Sequence, residues 1–361
     1  MHLTKYTFND INDIKNLIIT KPDENIYKIT QDNWDSIAKP IDGMGRFEKI
    51  IDQIGAIQGN PKIDISKRAV IIMCADNGIV AEGVSQSGQE VTFSVAKSMA
   101  KNQSSVGKMA TIIGADTIPV DIGINSREKI NGVLDRKVRC GTRNFASEPA
   151  MTEKEMLTAI ETGIDIVRSC KEDGYRLLAT GEMGIGNTTT SSAVAAALLG
   201  CDANLVTGKG AGLDNKGLHT KTKVITSALE KYELYEADVF TVLKTVGGLD
   251  IAGLVGICIG GAIYHIPIVL DGVISMVAAL CAERMVCGVK DYIIPSHSGK
   301  EPAVKLLSEA LGLTPVIDGQ LALGEGTGAV MMFSLLDMAM IIYRDRTTFS
   351  DIKVEQYERY E

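Results

Sequence analysis

Residues 175–200 read YRLLATGEMGIGNTTTSSAVAAALLG. This stretch begins with an apolar run typical of a buried strand, turns at closely spaced glycines and continues into an alanine-rich helical segment. Apolar runs that end in small or polar residues recur at 68–78, 115–124, 265–272 and 290–299. Because strands that alternate with helices form parallel sheets, the sequence predicts an α/β fold, a Rossmann-like parallel sheet with helices on both faces. Ligands of such sheets bind at the carboxyl ends of the strands.

The two ends of the chain predict a second, smaller unit. Residues 1–60 carry apolar residues at helical spacing, and MMFSLLDMAMIIYRDRTTF (331–349) predicts a long apolar helix that pairs with them. A chain of 361 residues suits one large domain plus a smaller one. We expect a large α/β domain at 60–312 and a small helical domain formed by 1–59 and 313–361.

The composition excludes several classes of protein. A formal net charge of −8 argues against a general nucleic-acid binder, because there is no excess of cations for the phosphates. The seven cysteines are odd in number and scattered, which predicts free thiols in a reducing cytoplasm. The four histidines show no metal-ligand spacing, so no metal site is expected.

One apolar stretch is long enough to raise the question of a membrane span. Residues 251–270, IAGLVGICIGGAIYHIPIVL, contain no Asp, Glu, Lys or Arg. Four glycines interrupt the stretch, and IPIVLD has the pattern of a separate buried strand. We therefore interpret it as part of the core and expect no membrane segment.

Two glycine-rich stretches are candidates for binding a phosphate. In GEMGIGNTTT (181–190), glycines follow a strand and open a helix whose N-terminus favours anions, with Asn187–Thr189 expected to cap it. The alternative is a glycine turn that packs the helix tightly on the sheet, although Glu182 inside it has no evident structural need. In TGKGAGLDNKGLHTK (207–221), glycines and lysines suit a phosphate, and a solvated flexible loop is the alternative.

Two further side chains are candidates for acid–base chemistry. His297 in PSHSGKEPA (295–303) is a general base or, as we slightly favour, a turn histidine bonded to backbone. Glu325 in LALGEGTGAV (321–330) lies between two glycines and next to apolar runs, which suits a general base. The alternative for Glu325 is a loop acid that caps the helix beginning near Thr327.

Eight motifs together resemble one enzyme family, that of nicotinate-nucleotide–dimethylbenzimidazole phosphoribosyltransferase. They occur in the same order over most of the chain: ADNGIVAEGVS (75–85), VDIGI (120–124), GTRNF (141–145), GEMGIGNTT (181–189), VGGLDIAG (246–253), PIVLDG (267–272), PSH (295–297) and LGEGTGA (323–329). The resemblance implies transfer of 5-phosphoribose from nicotinate mononucleotide to an aromatic base such as 5,6-dimethylbenzimidazole. The products would be nicotinate and α-ribazole 5′-phosphate, used in cobalamin biosynthesis. Glu325 matches the catalytic base of this family, and Glu182 matches its second acid.

The resemblance also implies which residues would hold the substrates. The phosphate and ribose would lie among seven residues of the glycine-rich turns: Gly184, Gly186, Gly208, Gly210, Lys221, Ser296 and Gly299. The acceptor base would lie near Ser87, Leu323 and Glu325. The chain has Val95 close to the position where the family pattern has Gln, so a more apolar pocket that accepts phenolic or smaller bases is our hypothesis. No cofactor or metal is implied, and a cytoplasmic homodimer that acts on small molecules is expected.

Two other functions compete with this interpretation. A nicotinamide-dependent oxidoreductase would need an acid at the end of a second strand, and Asp202 lies near the required distance but follows a helix. A non-catalytic nucleotide-binding protein would not need Glu325. The product formed from nicotinate mononucleotide and a base distinguishes these functions.

Overall fold

The computed structural model describes residues 3–359, so positions 1, 2, 360 and 361 of the predicted terminal segments lie outside the described residues. Six parallel strands form one sheet in the order β3-β2-β1-β4-β5-β6, and a parallel pair, β7 and β8, forms a second sheet. The strands are β1 Arg68–Ala75, β2 Asp116–Gly123, β3 Leu134–Asp135, β4 Leu177–Met183, β5 Ile268–Val269, β6 Ile293–Ile294, β7 His297–Gly299 and β8 Ile317–Leu321. The order of the large sheet is that of doubly wound nucleotide-binding folds, so the predicted fold class is confirmed.

Fourteen α-helices occur within the described residues. They are α1 Ile11–Lys15, α2 Glu24–Asp35, α3 Arg46–Gln58, α4 Glu90–Met99, α5 Ser105–Ile112, α6 Glu153–Glu172, α7 Asn187–Leu199, α8 Ala203–Val206, α9 Asn215–Lys231, α10 Val239–Val246, α11 Leu249–Tyr264, α12 Val273–Met285, α13 Ala303–Leu311 and α14 Thr327–Arg344. Short 3-10 helices cover Gly78–Glu82, Leu234–Glu236 and Val289–Tyr292.

Strand β1 separates two hydrophobic cores. All eight of its residues are buried, and side chains of a strand alternate between the faces of the sheet. Ala69, Ile71 and Met73 join a core with helices α6, α7, α11 and α12. Val70 and Ile72 join the other core, with α3, α5 and α14. Helices therefore cover both faces, as the near-continuous apolar run of β1 indicates.

The apolar stretch at 251–270 forms a helix and a strand inside the protein. IPIVLD forms the predicted separate strand, β5, but the expected interruption by glycines is wrong, because α11 runs unbroken through them. The glycines lie where α11 crosses α6: a Cβ on Gly256 would collide with the Ile160 carbonyl, and one on Gly163 with the Gly253 carbonyl. Glycine weakens a helix by about 1 kcal/mol relative to alanine but here lets two backbones touch.

The helices at the two ends of the chain share one core, as expected for the predicted long C-terminal helix. The rings of Trp34 in α2 and Tyr343 in α14 lie 5.2 Å apart. That core also covers the sheet, and Arg68 at the start of β1 binds both carboxylate oxygens of Asp337 in α14 at 2.6 and 2.7 Å. The division into domains 60–312 and 1–59 with 313–361 therefore stays a prediction.

One helix of the described chain, α14, is long and apolar enough to cross a membrane by length and composition. Just over half of it, 56%, is buried in the protein, and the core helix of a globular protein meets the same criteria.

Replacing Gly256 by Ala should destabilise the protein by about 1–3 kcal/mol, because the added methyl group collides with backbone in α6 that cannot rotate away. Urea denaturation followed by circular dichroism measures the loss. Gly319→Ala is the matched control, because a Cβ there makes only ordinary contacts, of 3.5 Å or more. Equal stability of both variants would contradict the close packing of α6 on α11.

Candidate active site

The glycine turn at the carboxyl end of β4 connects this strand to α7, beside the point where the strand order reverses. Helix α7 begins at Asn187, and its cap is Gly186 in the left-handed conformation, with φ of 93°. The expected capping by the side chains of Asn187–Thr189 is therefore wrong. Instead, the Asn187 amide Nδ2 donates a hydrogen bond to the Glu182 carboxylate.

Gly184 and Gly186 lie so close to other protein atoms that a side chain at either position would collide with them. A Cβ on Gly184 would collide with the Ala75 carbonyl and lie 2.8 Å from the Asp250 carboxylate, and one on Gly186 would lie 2.8 Å from Val80. Tight packing, the alternative considered from the sequence, thus accounts for both glycines. The role of both glycines in binding phosphate stays a prediction.

Glu182 is buried among other carboxylates. Burial raises its pKa to about 8, and the charges of Asp250, Asp271 and Glu325 act in the same direction. At neutral pH this side chain therefore carries a proton most of the time. Its position against Gly324, where a Cβ would lie 2.5 Å from its Oε1, brings it next to the loop of Glu325.

Glu325 lies in a left-handed loop whose geometry explains its glycine neighbours. Its φ is 62°, and Gly324 and Gly326 have φ of 82° and 99°, which only glycine adopts freely. The loop packs on β4, where a Cβ on Gly181 would lie 2.5 Å from the Glu325 carbonyl oxygen. The Glu325 Oε2 accepts a hydrogen bond of 3.0 Å from the Val106 N–H in the first turn of α5.

The alternative role of Glu325, as a cap of its own helix, is wrong. Helix α14 begins at Thr327 as expected, and its cap residue is Gly326. The donors at its start are satisfied by Asp271, which accepts from the N–H groups of Gly326 at 3.1 Å and Gly328 at 2.8 Å. Glu325 is therefore free to turn its carboxylate toward α5.

Asp250 and Asp271 are buried acids that the sequence reasoning missed. Burial raises the pKa of Asp250 to about 6 and also raises the pKa of Asp271. Both lie within motifs already quoted, VGGLDIAG and PIVLDG, as the only charged residue of each. An isolated acid at the end of an apolar run is the signal that could have identified them.

His297 is buried against the start of α14. Its Nδ1 lies 3.0 Å from the Ser296 hydroxyl, which donates to the Leu270 carbonyl at 2.6 Å, and its ring contacts the backbone at Gly328. Burial lowers its pKa, while the Asp271 charge acts in the opposite direction. Among residues 3–359 the ring is hydrogen-bonded to a side chain and not to backbone, so the choice between a general base and a turn histidine stays a prediction. The Ser296 hydroxyl donates its hydrogen bond to a backbone carbonyl. The role of Ser296 in binding phosphate stays a prediction.

Lys221 connects the two glycine-rich stretches. Its side chain is fully buried, and its Nζ donates to the Thr188 hydroxyl at 2.8 Å and to the Gly208 carbonyl at 3.1 Å. Burial lowers its pKa to about 8. Lys221 lies in α9, and a Cβ on Gly210 of the preceding loop would lie 3.5 Å from its Nζ. The choice between a phosphate site and a flexible loop at Gly208 and Gly210 stays a prediction.

Four predicted binding residues remain, of which Leu323, Ser87 and Val95 are expected at the acceptor base and Gly299 at the phosphate and ribose. Leu323, two residues before Glu325, is 56% exposed. Ser87 is exposed in the loop before α4. Val95 is half-buried on α4 and packs against the core shared with α5 and α14. Gly299 lies in β7, beside Leu321. The roles of all four residues in binding stay predictions.

Two further expectations concern ligands. Within residues 3–359, no three His, Cys, Asp or Glu side chains are grouped so as to hold a metal ion. Asp202, the acid that an oxidoreductase would place on ribose, caps α8 by accepting from the Asn204 N–H at 2.8 Å and follows no strand. The structure does not support the oxidoreductase alternative.

A doubly wound sheet with a buried lysine, a helix N-terminus and paired carboxylates at its reversal point suits an enzyme that acts on a sugar phosphate. A family model described as phosphoribosyltransferase matches residues 19–354, which identifies this class. A nicotinate-nucleotide–dimethylbenzimidazole phosphoribosyltransferase from Ruminiclostridium cellulolyticum is 43% identical over 98% of this chain and 100% of its own length. One from Acetivibrio thermocellus is 44% identical over 91% and 94%.

Solved structures give the same result. The crystal structure of CobT from Thermus thermophilus matches with a TM-score of 0.87 and 35% identity, over 92% of this chain and 100% of that one. The chain belongs to the nicotinate-nucleotide–dimethylbenzimidazole phosphoribosyltransferase family. The predicted family, fold and enzyme class are confirmed.

The stability of the protein should fall as pH rises from about 5 to 8, with Glu182 as one cause. The folded state holds the Glu182 proton up to a pKa of about 8, whereas the unfolded chain releases it near 4.5, so folding takes up a proton between these values. Glu182→Gln should reduce this slope, measured by urea unfolding at pH 5, 6.5 and 8. Glu230→Gln, an exposed carboxyl of α9, is the control, and identical slopes in all three proteins would contradict the buried, protonated Glu182.

Proposed function

We propose that this chain transfers 5-phosphoribose from nicotinate mononucleotide to 5,6-dimethylbenzimidazole or a related lower-ligand base. The products are nicotinate and α-ribazole 5′-phosphate, used for the nucleotide loop of cobalamin. The family membership supports the substrates, and one observation supports the chemistry: the Glu325 carboxylate is held on a rigid left-handed loop beside buried Glu182.

Glu325 acts as the general base. One nitrogen of the acceptor imidazole attacks C1′ of the ribose while the other loses its proton, and a fixed carboxylate in reach of that proton accepts it. The single hydrogen bond from Val106 holds Oε2 and leaves the other oxygen, Oε1, for the acceptor. Attack opposite to the departing nicotinate inverts C1′ and gives the α linkage.

Glu182 contributes as a neutral acid. If Glu182 were ionised, its charge would repel the Glu325 carboxylate and the donor phosphate. Burial keeps Glu182 protonated at neutral pH. In that state it donates a hydrogen bond to the ligand while Asn187 donates to its other oxygen. A neutral Glu182 at the end of β4 is compatible with an anion bound at the turn that follows.

The donor is held by its phosphate and activated by its own charge. Lys221, the glycine-rich turns and the start of α7 surround the phosphate, and the cationic pyridinium nitrogen makes nicotinate a ready leaving group. Fixing both reactants in one orientation lowers the barrier by several kcal/mol, on the order of what intramolecular reactions gain. The exposed Leu323 contacts the flat face of the acceptor, and Val95 in place of Gln favours less polar bases.

Glu325→Gln should lower base-dependent nicotinate release by about 100- to 10,000-fold, because the amide cannot accept the acceptor proton. Chromatography of reactions with nicotinate mononucleotide and a panel of benzimidazoles, purines and phenols measures it and ranks the acceptors. Asp318→Asn, an exposed acid on the nearby β8, is the control. Full activity of the Glu325 variant would refute the role of Glu325 as base. If the wild type released no nicotinate with any acceptor, the proposed reaction would be refuted.

We also propose that the enzyme is a cytoplasmic homodimer. The seven free cysteines support a reducing compartment. The outward face of α14 supports a dimer contact, because Met338 and Ile341 are 60% and 62% exposed one helical turn apart, an apolar surface that a second copy would cover.

Met338→Glu combined with Ile341→Glu should shift the protein from dimer to monomer, because two buried charges would oppose each other across the contact. Analytical ultracentrifugation of the purified variant measures the shift. Ile18→Glu, at another exposed apolar position, should leave the dimer intact. A dimer that survives the α14 changes would place the interface elsewhere.

A further inference from the structure

The glycine turn proposed to receive the phosphate is already in contact with a carboxylate of the protein. Glu301 lies between β7 and α13, and its Oε1 accepts a hydrogen bond of 3.1 Å from the Gly210 N–H. Its other oxygen lies so close to Gly208 that a Cβ there would collide with it. A carboxylate on a glycine-rich turn occupies the position that such turns offer to an anionic ligand.

The charge next to this turn explains why Glu301 is held there. The fully buried ammonium of Lys221 bonds only neutral oxygens, and no carboxylate lies within salt-bridge distance of it in residues 3–359. Among those residues, Glu301 is the charge that stabilises its protonated form. A buried cation without a close partner favours any anion that can approach, and the charge of Glu301 acts on it.

Glu301 also borders a cavity next to α13. This cavity of about 520 Å³ is lined by Gly299, Glu301, Lys305 and Ser308, among others. Lys305 is exposed on α13 and offers a cation to a carboxylate that leaves the glycine turn. The start of α13 adds a partial positive charge on that side.

We propose that the Glu301 carboxylate occupies the phosphate position of the empty enzyme and moves toward Lys305 when a phosphorylated ligand enters. This inference rests on the proposed function, because it takes the Gly208–Gly210 turn as the phosphate site. Any ligand must first displace Glu301. The apparent affinity of the ligand is therefore its intrinsic affinity multiplied by the fraction of time that the turn is free. Free inorganic phosphate has no further contacts to offset that displacement, whereas the mononucleotide gains those of its ribose and pyridinium ring. Glu301 thus keeps the site open to the donor in a cell that contains much free phosphate.

Inorganic phosphate is the probe for this displacement. Isothermal titration calorimetry at fixed pH and ionic strength compares its binding to the wild type, Glu301→Gln and Glu301→Ala, with the exposed Glu309→Gln of the same cavity as the control. We expect Glu301→Ala to bind phosphate about tenfold more tightly, because phosphate then no longer has to break the hydrogen bond of a charged group to the turn. Phosphate should inhibit the turnover of this variant at correspondingly lower concentration. Glu301→Gln, which keeps the shape and loses the charge, should fall between, and Glu309→Gln should match the wild type.

Lys305→Met tests where the carboxylate goes. The change should weaken phosphate binding in the wild type, because the displaced Glu301 carboxylate then lacks the cation of Lys305. It should have no effect in the Glu301→Ala background, where no carboxylate is displaced. Equal effects of Lys305→Met in both backgrounds would overturn the movement toward α13.

The remaining outcomes separate this inference from the phosphate site itself. If the wild type binds phosphate and Lys221→Met does not, the phosphate site is established. Unchanged or weaker phosphate binding by Glu301→Ala would then overturn only the displacement of Glu301. Absence of phosphate binding in every protein would overturn the site and both proposals.

Discussion

Carboxylates taken out of water must gain hydrogen-bond donors or hold a proton, and this requirement shapes the active-site edge of the sheet. Asp271 meets it with the backbone N–H groups at the start of α14, which fixes the loop that carries Glu325. Glu182 meets it by keeping its proton, with a raised pKa of about 8. The first solution stabilises the carboxylate by hydrogen bonds, and the second removes its charge. We propose that the same edge combines Glu325 as a base with a phosphate-binding turn.

Glycines make this arrangement possible by bringing backbone against backbone. Gly181 lets the Glu325 carbonyl lie on β4, and Gly184 lets the turn after β4 reach the end of β1. A side chain at either position would push the loop of Glu325 or the start of α7 away from the sheet. The placement of the acids depends on these contacts as much as on the acids themselves.

The fold could be read from the sequence where the signal is local. The strand, turn and helix at 175–200 and the long helix of the C-terminal region follow from apolar spacing over consecutive residues, and the structure confirms them. Glu325 and Glu182 could be identified because an acid among glycines is conspicuous, and a family pattern supported them. Asp250 and Asp271 were missed although each is the only charged residue of its motif, because their burial beside Glu182 comes from elements remote in the chain. The unbroken course of α11 was missed for the same reason: its glycines look disruptive until α6 lies against them.

The core beneath the Glu325 loop has a consequence for how the protein is made. Helices α3 and α14 both cover the same face of the sheet, yet roughly 270 residues separate them. At a synthesis rate of about 5–20 residues per second, α14 is made on the order of 10 to 50 seconds after α3. During that time the apolar face of β1 is without its C-terminal cover and available to chaperones. A nascent chain that stops before residue 325 lacks both this cover and the proposed general base.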